Sequence, residues 1–599
     1  MLLNGAPDDA TDGPPILTGL NRALSSQPLI DAHRLAHYLA DINPDLVIAP
    51  FAGGIAQGVL AARGCGEAFA RTRVALWYDG PSRTRFLLDD ELLTGMAPLV
   101  ADGLERQSIT LADALLVRTN GSPALPGWVT SAAPPTFEVA LPGPLATGDA
   151  PQSAGREIRE IVFAGPIRKS AGIHEFIAAT ERLAAKGLLA GRTIVFLGVV
   201  RSSGSGISRE WLGRRAGAWP FAFKVIEEQD AGAVRRYLAD RGRLAVSIGH
   251  DNDQLDFIRS CGSNHLGFLG PSEDAATFID HLEATLRDTL VHRALPSQEP
   301  KPAVADWRKL AKRLRRLPVR PIHESAPGKR GASPLIRRLA RLTGHVGITV
   351  CVLHHNRLAE LASALATIPD SADGHSVEVI VIDNASDNPS VEEEIRARAP
   401  ECPRLRIIRL TEPMPQTAAF NRGLSEARGD IVFFLDDDNA YLPGGLARLA
   451  RAVDQGRFDI AVTALEIFEG DQPAADPTVG RLIFMGEAHS AGLFFNAFGD
   501  TSMAVRRDVF TNFGGFHNRG YDYPALDWVT LAKAQAAGLR IGALQWPAVR
   551  YRRDSGRAEL ATKKLDQEGA RALVFEAYRG ALDGELLARY AQKLQLEEP

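Results

Sequence analysis

Ile431-Val432-Phe433-Phe434-Leu435-Asp436-Asp437-Asp438-Asn439 is the stretch whose reading decides the fold of this chain. Five apolar residues, rich in β-branched and aromatic side chains, predict a short strand buried on both faces. Asp436, Asp437 and Asp438 follow without a break. At the carboxyl end of a parallel strand they would lie at the rim where open α/β sheets bind ligands. Adjacent carboxylates repel one another unless a positive charge sits among them, and a hard divalent cation carrying substrate phosphates supplies one. Taken alone, the triplet also reads as a solvated acidic turn.

The flanking sequence carries further ordered signals. Val346 to Leu353 predicts an opening strand that runs into His354-His355-Asn356-Arg357. Val377 to Ile382 predicts a second, ending in Asp383-Asn384-Ala385-Ser386, and Arg404 to Leu410 a third. Thr417 to Arg428 reads as a helix containing Ala419, Asn421 and Gly423. Beyond the acidic strand end come Gly499-Asp500-Thr501-Ser502, the Phe513-Gly514-Gly515-Phe516 turn and Leu526-Asp527-Trp528.

In this order the motifs resemble the family 2 glycosyltransferases, which have the GT-A fold. The resemblance covers residues 346–556. It implies transfer of a sugar from a nucleotide diphosphate donor with inversion at the anomeric carbon. It implies donor contacts from Asp383, Asn356, Asn421 and Asp436, and a Mg²⁺ or Mn²⁺ ion held by Asp438 and Asp436. Asp527 aligns with the general base of the family's E-D-W motif, with Leu526 in the place of the glutamate. Tyr551-Arg552-Arg553-Asp554-Ser555 loosely resembles a Y-R-x-R-x-S stretch of some members, where Arg552 and Arg553 would clamp the diphosphate. The plainer readings are an N-cap for Asp383, a helix cap for Asp527 and solvated arginines at 552 and 553. Asp522 and His517 stand next in line as base.

Further toward the amino terminus, apolar strand-like runs alternate with amphipathic helical stretches, which is α/β patterning. Pro44 to Pro50, Val74 to Tyr78 and Ala114 to Arg118 are strands of a first lobe, residues 30–150. The Pro-rich stretch from Ser131 to Pro144 reads as a domain crossing. Glu160 to Ala164, Thr193 to Leu197, Phe223 to Ile226, Leu244 to Ile248 and Leu266 to Leu269 belong to a second lobe, residues 151–297. The pair resembles a GT-B glycosyltransferase at Asp79-Gly80-Pro81-Ser82, Leu104-Glu105-Arg106-Gln107-Ser108, Gly165-Pro166-Ile167-Arg168-Lys169 and His250-Asp251-Asn252. It lacks the glycine-rich loop near the donor diphosphate, and the second of two acidic positions falls on Arg259. An arginine cannot accept hydrogen bonds from sugar hydroxyls. The module therefore reads as degenerate, serving assembly or acceptor binding.

Residues 298–345 are strongly basic. Val304 to Leu317 has apolar residues at helical spacing opposite a cationic face, and Leu335 to Leu342 is a second basic stretch. Such a helix suits the anionic inner face of a membrane, a solvated linker, or docking on an acidic face of its own protein. Residues 1–29 are a tail and residues 557–599 polar helices.

The whole is an α/β multidomain chain: two Rossmann-like lobes, then a GT-A domain. Its 599 residues exceed what one core holds. A formal charge of −4 argues against nucleic acid as a partner. Cys65, Cys261, Cys351 and Cys402 form no CxxC, which fits a reducing cytoplasm. The amino terminus lacks signal-peptide character, and no apolar run is long enough to cross a bilayer. The expectation is a metal-dependent, inverting glycosyltransferase, cytoplasmic or peripheral at the inner membrane face, with a glycan or lipid-linked acceptor. The alternatives are a bifunctional transferase and a non-catalytic scaffold.

Overall fold

A computed structural model describes residues 26–83, 96–118, 133–139, 158–198, 209–249, 264–269, 280–286, 307–319, 347–553 and 567–591, with short interruptions inside these ranges. Arg168, Lys169, the His250-Asp251-Asn252 motif, Arg259, Asp522, Asp554, Ser555 and the basic stretch Leu335 to Leu342 lie outside the described residues.

Three α/β units follow one another. The first holds a four-stranded parallel sheet in the order Leu46–Pro50, Arg73–Trp77, Ala114–Arg118, Thr136–Val139. Its last strand lies in the Pro-rich stretch expected to be a domain crossing. Thr136 to Val139 is a short proline-free run, and it pairs at the sheet edge, where prolines on either side cost no ladder bonds. The second unit is a five-stranded parallel sheet ordered Ala222–Ile226, Thr193–Leu197, Glu160–Ala164, Arg243–Gly249, Asn264–Leu269.

The third unit is built on a 10-stranded mixed sheet. At its centre Ile348–His354 runs parallel to both His375–Asp383 and Ile431–Asp436. Ile431 to Leu435 are all buried, as a continuous apolar run at the centre of a covered sheet must be. Helix Gln416–Glu426 lies on the strands through Gly423, where a Cβ would come within 2.5 Å of Ile382 Cδ1. Beyond Ile431–Asp436 the sheet turns antiparallel through Ala504–Arg506, then continues with Ile460–Phe468 and the 12-residue strand Ile541–Arg552.

The cores show how these units are joined. Leu29, Ile30, Ala32, Cys65, Leu99, Val100 and Leu104 of the first unit belong to the same buried cluster as the third unit's sheet. Among the described residues, the buried clusters of the second unit draw only on residues 158–286. The sequence pairs the first lobe with the second; the packed apolar surface joins it to the third. Periodicity reports that a helix has an apolar face but not which neighbour covers it.

The basic helix Trp307–Arg315 also has a partner. Leu310, Leu314 and Leu317 pack with Ala75, Leu116 and Val139 of the first unit, and Arg73 Nε donates to Leu317 O at 3.0 Å. Arg308, Lys312, Arg315 and Arg316 stay exposed. Among the described residues, no helix is long and apolar enough to cross a membrane.

Candidate active site

Strand register brings the acidic motifs to one edge. Asp436 pairs with Leu353, His354 with Asp383, and Asp383 with Arg409, so four adjacent parallel strands end together. Asp436, at the last position of its strand, accepts a hydrogen bond from Gln416 Nε2 at 3.0 Å. Asp437 is fully buried: His354 Nδ1 lies 2.8 Å from its Oδ2, and Arg357 Nη2 lies 2.5 Å from its Oδ1. Arg357 spans to the next residue, with Nη1 2.7 Å from Asp438 Oδ2. The inner aspartate is thus part of the scaffold, and Asp436 and Asp438 are the outer pair.

Burial raises the Asp436 carboxyl well above the usual range, with Asp438, Asp500 and Asp437 adding to it. Asp438 is raised as well, chiefly by burial, with Arg357 pulling the other way. A site that penalises its own negative charge is one a cation would relieve.

Asp527 comes from a different element, the first turn of helix Leu526–Ala536. Its Oδ2 accepts from Asn496 Nδ2 at 2.9 Å and its Oδ1 from the Trp528 amide at 2.8 Å. Burial, and then the charge of Asp500, push it up to about 7. Asp500 is itself raised by burial and holds the Ser502 amide at 2.8 Å. Tyr551 lies near the end of strand Ile541–Arg552: burial raises its hydroxyl strongly, and the charges of Asp500, Asp436, Asp438 and Asp527 add to it.

Several expected donor contacts meet groups already engaged. Asn356 bonds Asp387 twice, Nδ2 to Oδ2 and Oδ1 from the amide, each at 2.9 Å, and so closes one loop on the next. Asn421 bonds the Phe516 backbone in both directions at 2.8 Å. That pairing pins the Gly514-Gly515 turn, where Gly515 has φ +72° and a Cβ would lie 2.3 Å from Asn421 Oδ1. Asp383 is fully buried, with Oδ1 holding Ser386 and Oδ2 3.5 Å from Arg409 Nε. Arg552 is paired with Glu360 at 3.3 Å and with Asp471, and Arg553 with Glu469. His517 faces Lys533, 3.1 Å from its Nδ1.

Residues 349–513 match the family described as Glycosyl transferase family 2. This chain carries a family 2 glycosyltransferase domain. Curated relatives are the uncharacterized glycosyltransferase YwdF of Bacillus subtilis, 23% identical over 30% of this chain and 65% of its own length, and the undecaprenyl-phosphate 4-deoxy-4-formamido-L-arabinose transferase of Aeromonas hydrophila, 28% identical over 27% and 49%. A third, the succinoglycan biosynthesis protein ExoO of Rhizobium meliloti, is 27% identical over 41% of this chain and 71% of its own. The chain thus spans less than two thirds of the length of the first two. Among solved structures, Staphylococcus aureus TarS 1-349 in complex with UDP aligns over 41% of this chain and 70% of its own, at 17% identity and TM-score 0.30. The mannosyltransferase PcManGT of Pyrobaculum calidifontis, in complex with GDP-Man and Mn²⁺, aligns over 44% and 86%, at 18% identity and TM-score 0.26.

Within this glycosyltransferase domain, the residues that sequence reasoning did not assign are Arg357, Gln416, Asn496, Asp500 and Tyr551. Arg357 closes the His354-His355-Asn356-Arg357 run, and Asp500 and Tyr551 sit inside the Gly499-Asp500-Thr501-Ser502 and Tyr551-Arg552-Arg553-Asp554-Ser555 motifs, so a polar residue near a strand end was the available signal. Nothing local marks Asn496. Among the described residues, no group of three or more His, Cys, Asp or Glu side chains forms a metal site by itself. The outer pair Asp436 and Asp438 fits a cation whose remaining ligands come from phosphate oxygens and water, which is how Mg²⁺ is commonly held.

Proposed function

We propose that this protein is an inverting, metal-dependent glycosyltransferase that moves a sugar from a nucleotide diphosphate donor to a glycan or lipid-linked acceptor. The observation that carries the reading is the placement of Asp436 and Asp438 at the end of strand Ile431–Asp436, with Asp527 held at the start of helix Leu526–Ala536 by Asn496 at 2.9 Å. Asp527, with a carboxyl pushed up to about 7, suits a general base working near neutral pH. It takes the proton of the acceptor hydroxyl as that oxygen bonds the anomeric carbon, and the bond to the diphosphate oxygen breaks on the opposite face. Asp436 and Asp438 would hold the divalent cation, which supplies positive charge to the departing diphosphate. Arg357 holds Asp437 and Asp438, and so fixes Asp438 relative to the scaffold. The named activity of the Aeromonas relative, on undecaprenyl phosphate, supports a lipid-linked acceptor.

In this reading residues 346–556 are the GT-A transferase domain, and the lobes at 30–150 and 151–297 are a degenerate GT-B-like module. The exposed cations of helix Trp307–Arg315 favour a cytoplasmic protein touching the inner membrane face through charge. Incubation with a panel of nucleotide sugars, with Mn²⁺ or with excess chelator, tests the proposal. Metal-dependent transfer or donor hydrolysis is expected, and Asp438→Ala should abolish it. Full activity in chelator would sink the metal assignment, and no turnover of any donor would favour a scaffold.

A further inference from the structure

The first lobe touches the transferase domain at a place that leads to its candidate base. Helix Met96–Leu111 approaches the segment after strand Thr478–Leu482 through Gly103, where a Cβ would stand 2.6 Å from Met485 Cε and 3.2 Å from Ala488 O. One turn on, buried Gln107 donates from Nε2 to Met485 O at 3.1 Å and to Glu487 O at 2.5 Å. Its Oε1 accepts from Gln57 Nε2 at 2.8 Å, so the first lobe sets the amide's orientation.

The segment that Gln107 holds is short and tied at both ends. The Met485 and Gly486 amides donate to Ala497 O and Phe498 O at 2.8 and 3.1 Å. Between them, the tight turn His489–Leu493 offers Gly492 O to Trp528 Nε1 at 2.7 Å. Gln535 Oε1 accepts the Ala488 amide at 2.8 Å. Both contacts are to helix Leu526–Ala536, the helix that carries Asp527. The segment ends at Asn496, whose Nδ2 bonds Asp527 Oδ2 at 2.9 Å and Gly499 O at 2.8 Å, while its Oδ1 accepts the Phe498 amide at 3.2 Å. With both ends of its own amide engaged, Asn496 presents its donor to Asp527 in one orientation. Leu526 stands beside Asp527 and offers no polar group, so the orienting contact comes from across the fold.

We propose that the first lobe is a positioning element of the transferase site: Gln107 holds the Met485–Asn496 segment, and Asn496 in turn holds the carboxylate of Asp527. Gln107 and Asn496 are positioning residues, and neither is asked to touch a reacting atom. The inference rests on the reading of Asp527 as the base. A base displaced by a fraction of an ångström loses rate while donor binding is untouched, because the donor is held by other strands.

The test uses the full chain and compares Gln107→Met, Asn496→Ala and the double variant. In Asn496→Ala, kcat should fall by about 10²-fold with donor KM within twofold. Gln107→Met should lower kcat by about tenfold, again without a change in donor KM, and hydrogen exchange at residues 485–498 should quicken. Because Gln107 acts through Asn496, the double variant should be no slower than Asn496→Ala alone. Faster exchange with unchanged kcat would make Gln107 a docking contact only and overturn the proposal; so would unchanged exchange, or fully multiplicative losses. If Gln107→Met fails to fold, Asn496→Ala decides: a loss confined to donor KM overturns the proposal. An unaltered chain that transfers no sugar would sink the reading of Asp527 and this inference together, whereas an active chain indifferent to both substitutions sinks only this inference.

Discussion

The first and second lobes read alike in sequence and are used differently in the molecule. Each is a parallel sheet with helices, and each buries its central strands, at Leu76 and Leu115 in the first and at Val162 and Val195 in the second. The first shares one apolar cluster with the transferase sheet and adds polar ties, among them Glu67, which accepts the Gln545 amide at 2.7 Å and the Trp546 amide at 3.2 Å. Among the described residues, the second closes its core on itself, through Phe163, Phe176 and Phe196. The difference teaches that a lobe whose helices spend their apolar faces on a neighbour has become part of that neighbour's fold. Stability, and with it the geometry of the site, should then depend on the first lobe far more than on the second.

The largest expected effect asks whether chemistry resides in the transferase domain alone. Asp527→Asn keeps the volume and one acceptor but cannot take up a proton, and a positioned base contributes about 10²–10⁴-fold in rate. Product formation should fall by that factor while nucleotide affinity stays within a few-fold. A product that persists at the native rate would leave Asp527 as a helix cap, and a second, separable product would show the second lobe to be active.

Next in size is a pair of core truncations. Leu104→Ala opens the shared cluster and Phe196→Ala the second lobe's own. Buried Leu→Ala costs about 2–5 kcal/mol and Phe→Ala about 3–5 kcal/mol. Transfer should be lost at a lower temperature in Leu104→Ala, with the first lobe and transferase unfolding in one transition. Phe196→Ala should melt earlier in a separate transition and leave transfer at 25 °C within twofold. Equal loss of transfer in both variants would erase the distinction.

The limits of sequence reading follow from the same contrast. Strands ending in acids were legible because an apolar run precedes Asp436-Asp437-Asp438 and ordered motifs flank it, and the order of those motifs led to Asp527. What joined them was not. Arg357, Asn496 and Tyr551 reach the site because of where distant loops and the strand Ile541–Arg552 return, and no local spacing encodes that. Asn356 and Asn421 were expected as donor contacts from the family resemblance; their partners, Asp387 and the Phe516 backbone, are invisible until the loops close. The apolar stripe of Trp307–Arg315 was legible as a stripe, yet its cover, the first lobe's sheet, was not.

A subtler difference between the lobes is the sign of their response to pH. Glu67 and Glu105 are both pushed up to about 7 by burial, against the pull of hydrogen bonds from Gln545 and Trp546 in one case and Ser82 and Gly53 in the other. A carboxyl raised on folding binds its proton more tightly in the native state, so it takes stability away as pH climbs from about 4.5 to about 7. His33 and His37, lowered chiefly by burial, act in the opposite sense, so the effect is read as a difference between proteins. Relative to the unaltered chain, Glu67→Gln with Glu105→Gln should gain Tm across that window, at roughly 2–4 °C per kcal/mol. In the second lobe, burial raises Glu160, but hydrogen bonds from Lys224, Arg243 and Tyr237 outweigh it and leave the carboxyl below its usual range. Its contribution is present above pH 4.5 and lost as pH falls through the lower folded value, so Glu160→Gln should lose Tm at neutral pH. Parallel pH profiles for the two substitutions would contradict the assignment.

The smallest expected effect concerns the helix that follows the second lobe in the chain but docks on the first. With Leu310 and Leu314 packed against Ala75 and Leu116, the apolar face of Trp307–Arg315 is already covered. What remains for a membrane is a set of exposed cations, among them Arg308, Lys312, Arg315 and Arg316, a surface that attracts anionic lipid without inserting into it. Each such cation contributes about 1 kcal/mol near an anionic bilayer, and the attraction falls off within a Debye length. Weak co-sedimentation with vesicles containing phosphatidylglycerol is therefore expected at low salt, lost at about 0.5 M salt, and absent with phosphatidylcholine alone. Reversing Arg308, Lys312, Arg315 and Arg316 to glutamate should remove it and leave transfer to a water-soluble acceptor unchanged. Binding that survives high salt would mean that the helix leaves the first lobe and buries its leucines in lipid. The first lobe would then be a releasable partner of this helix, and the line drawn between an integrated lobe and an appended one would have to be moved.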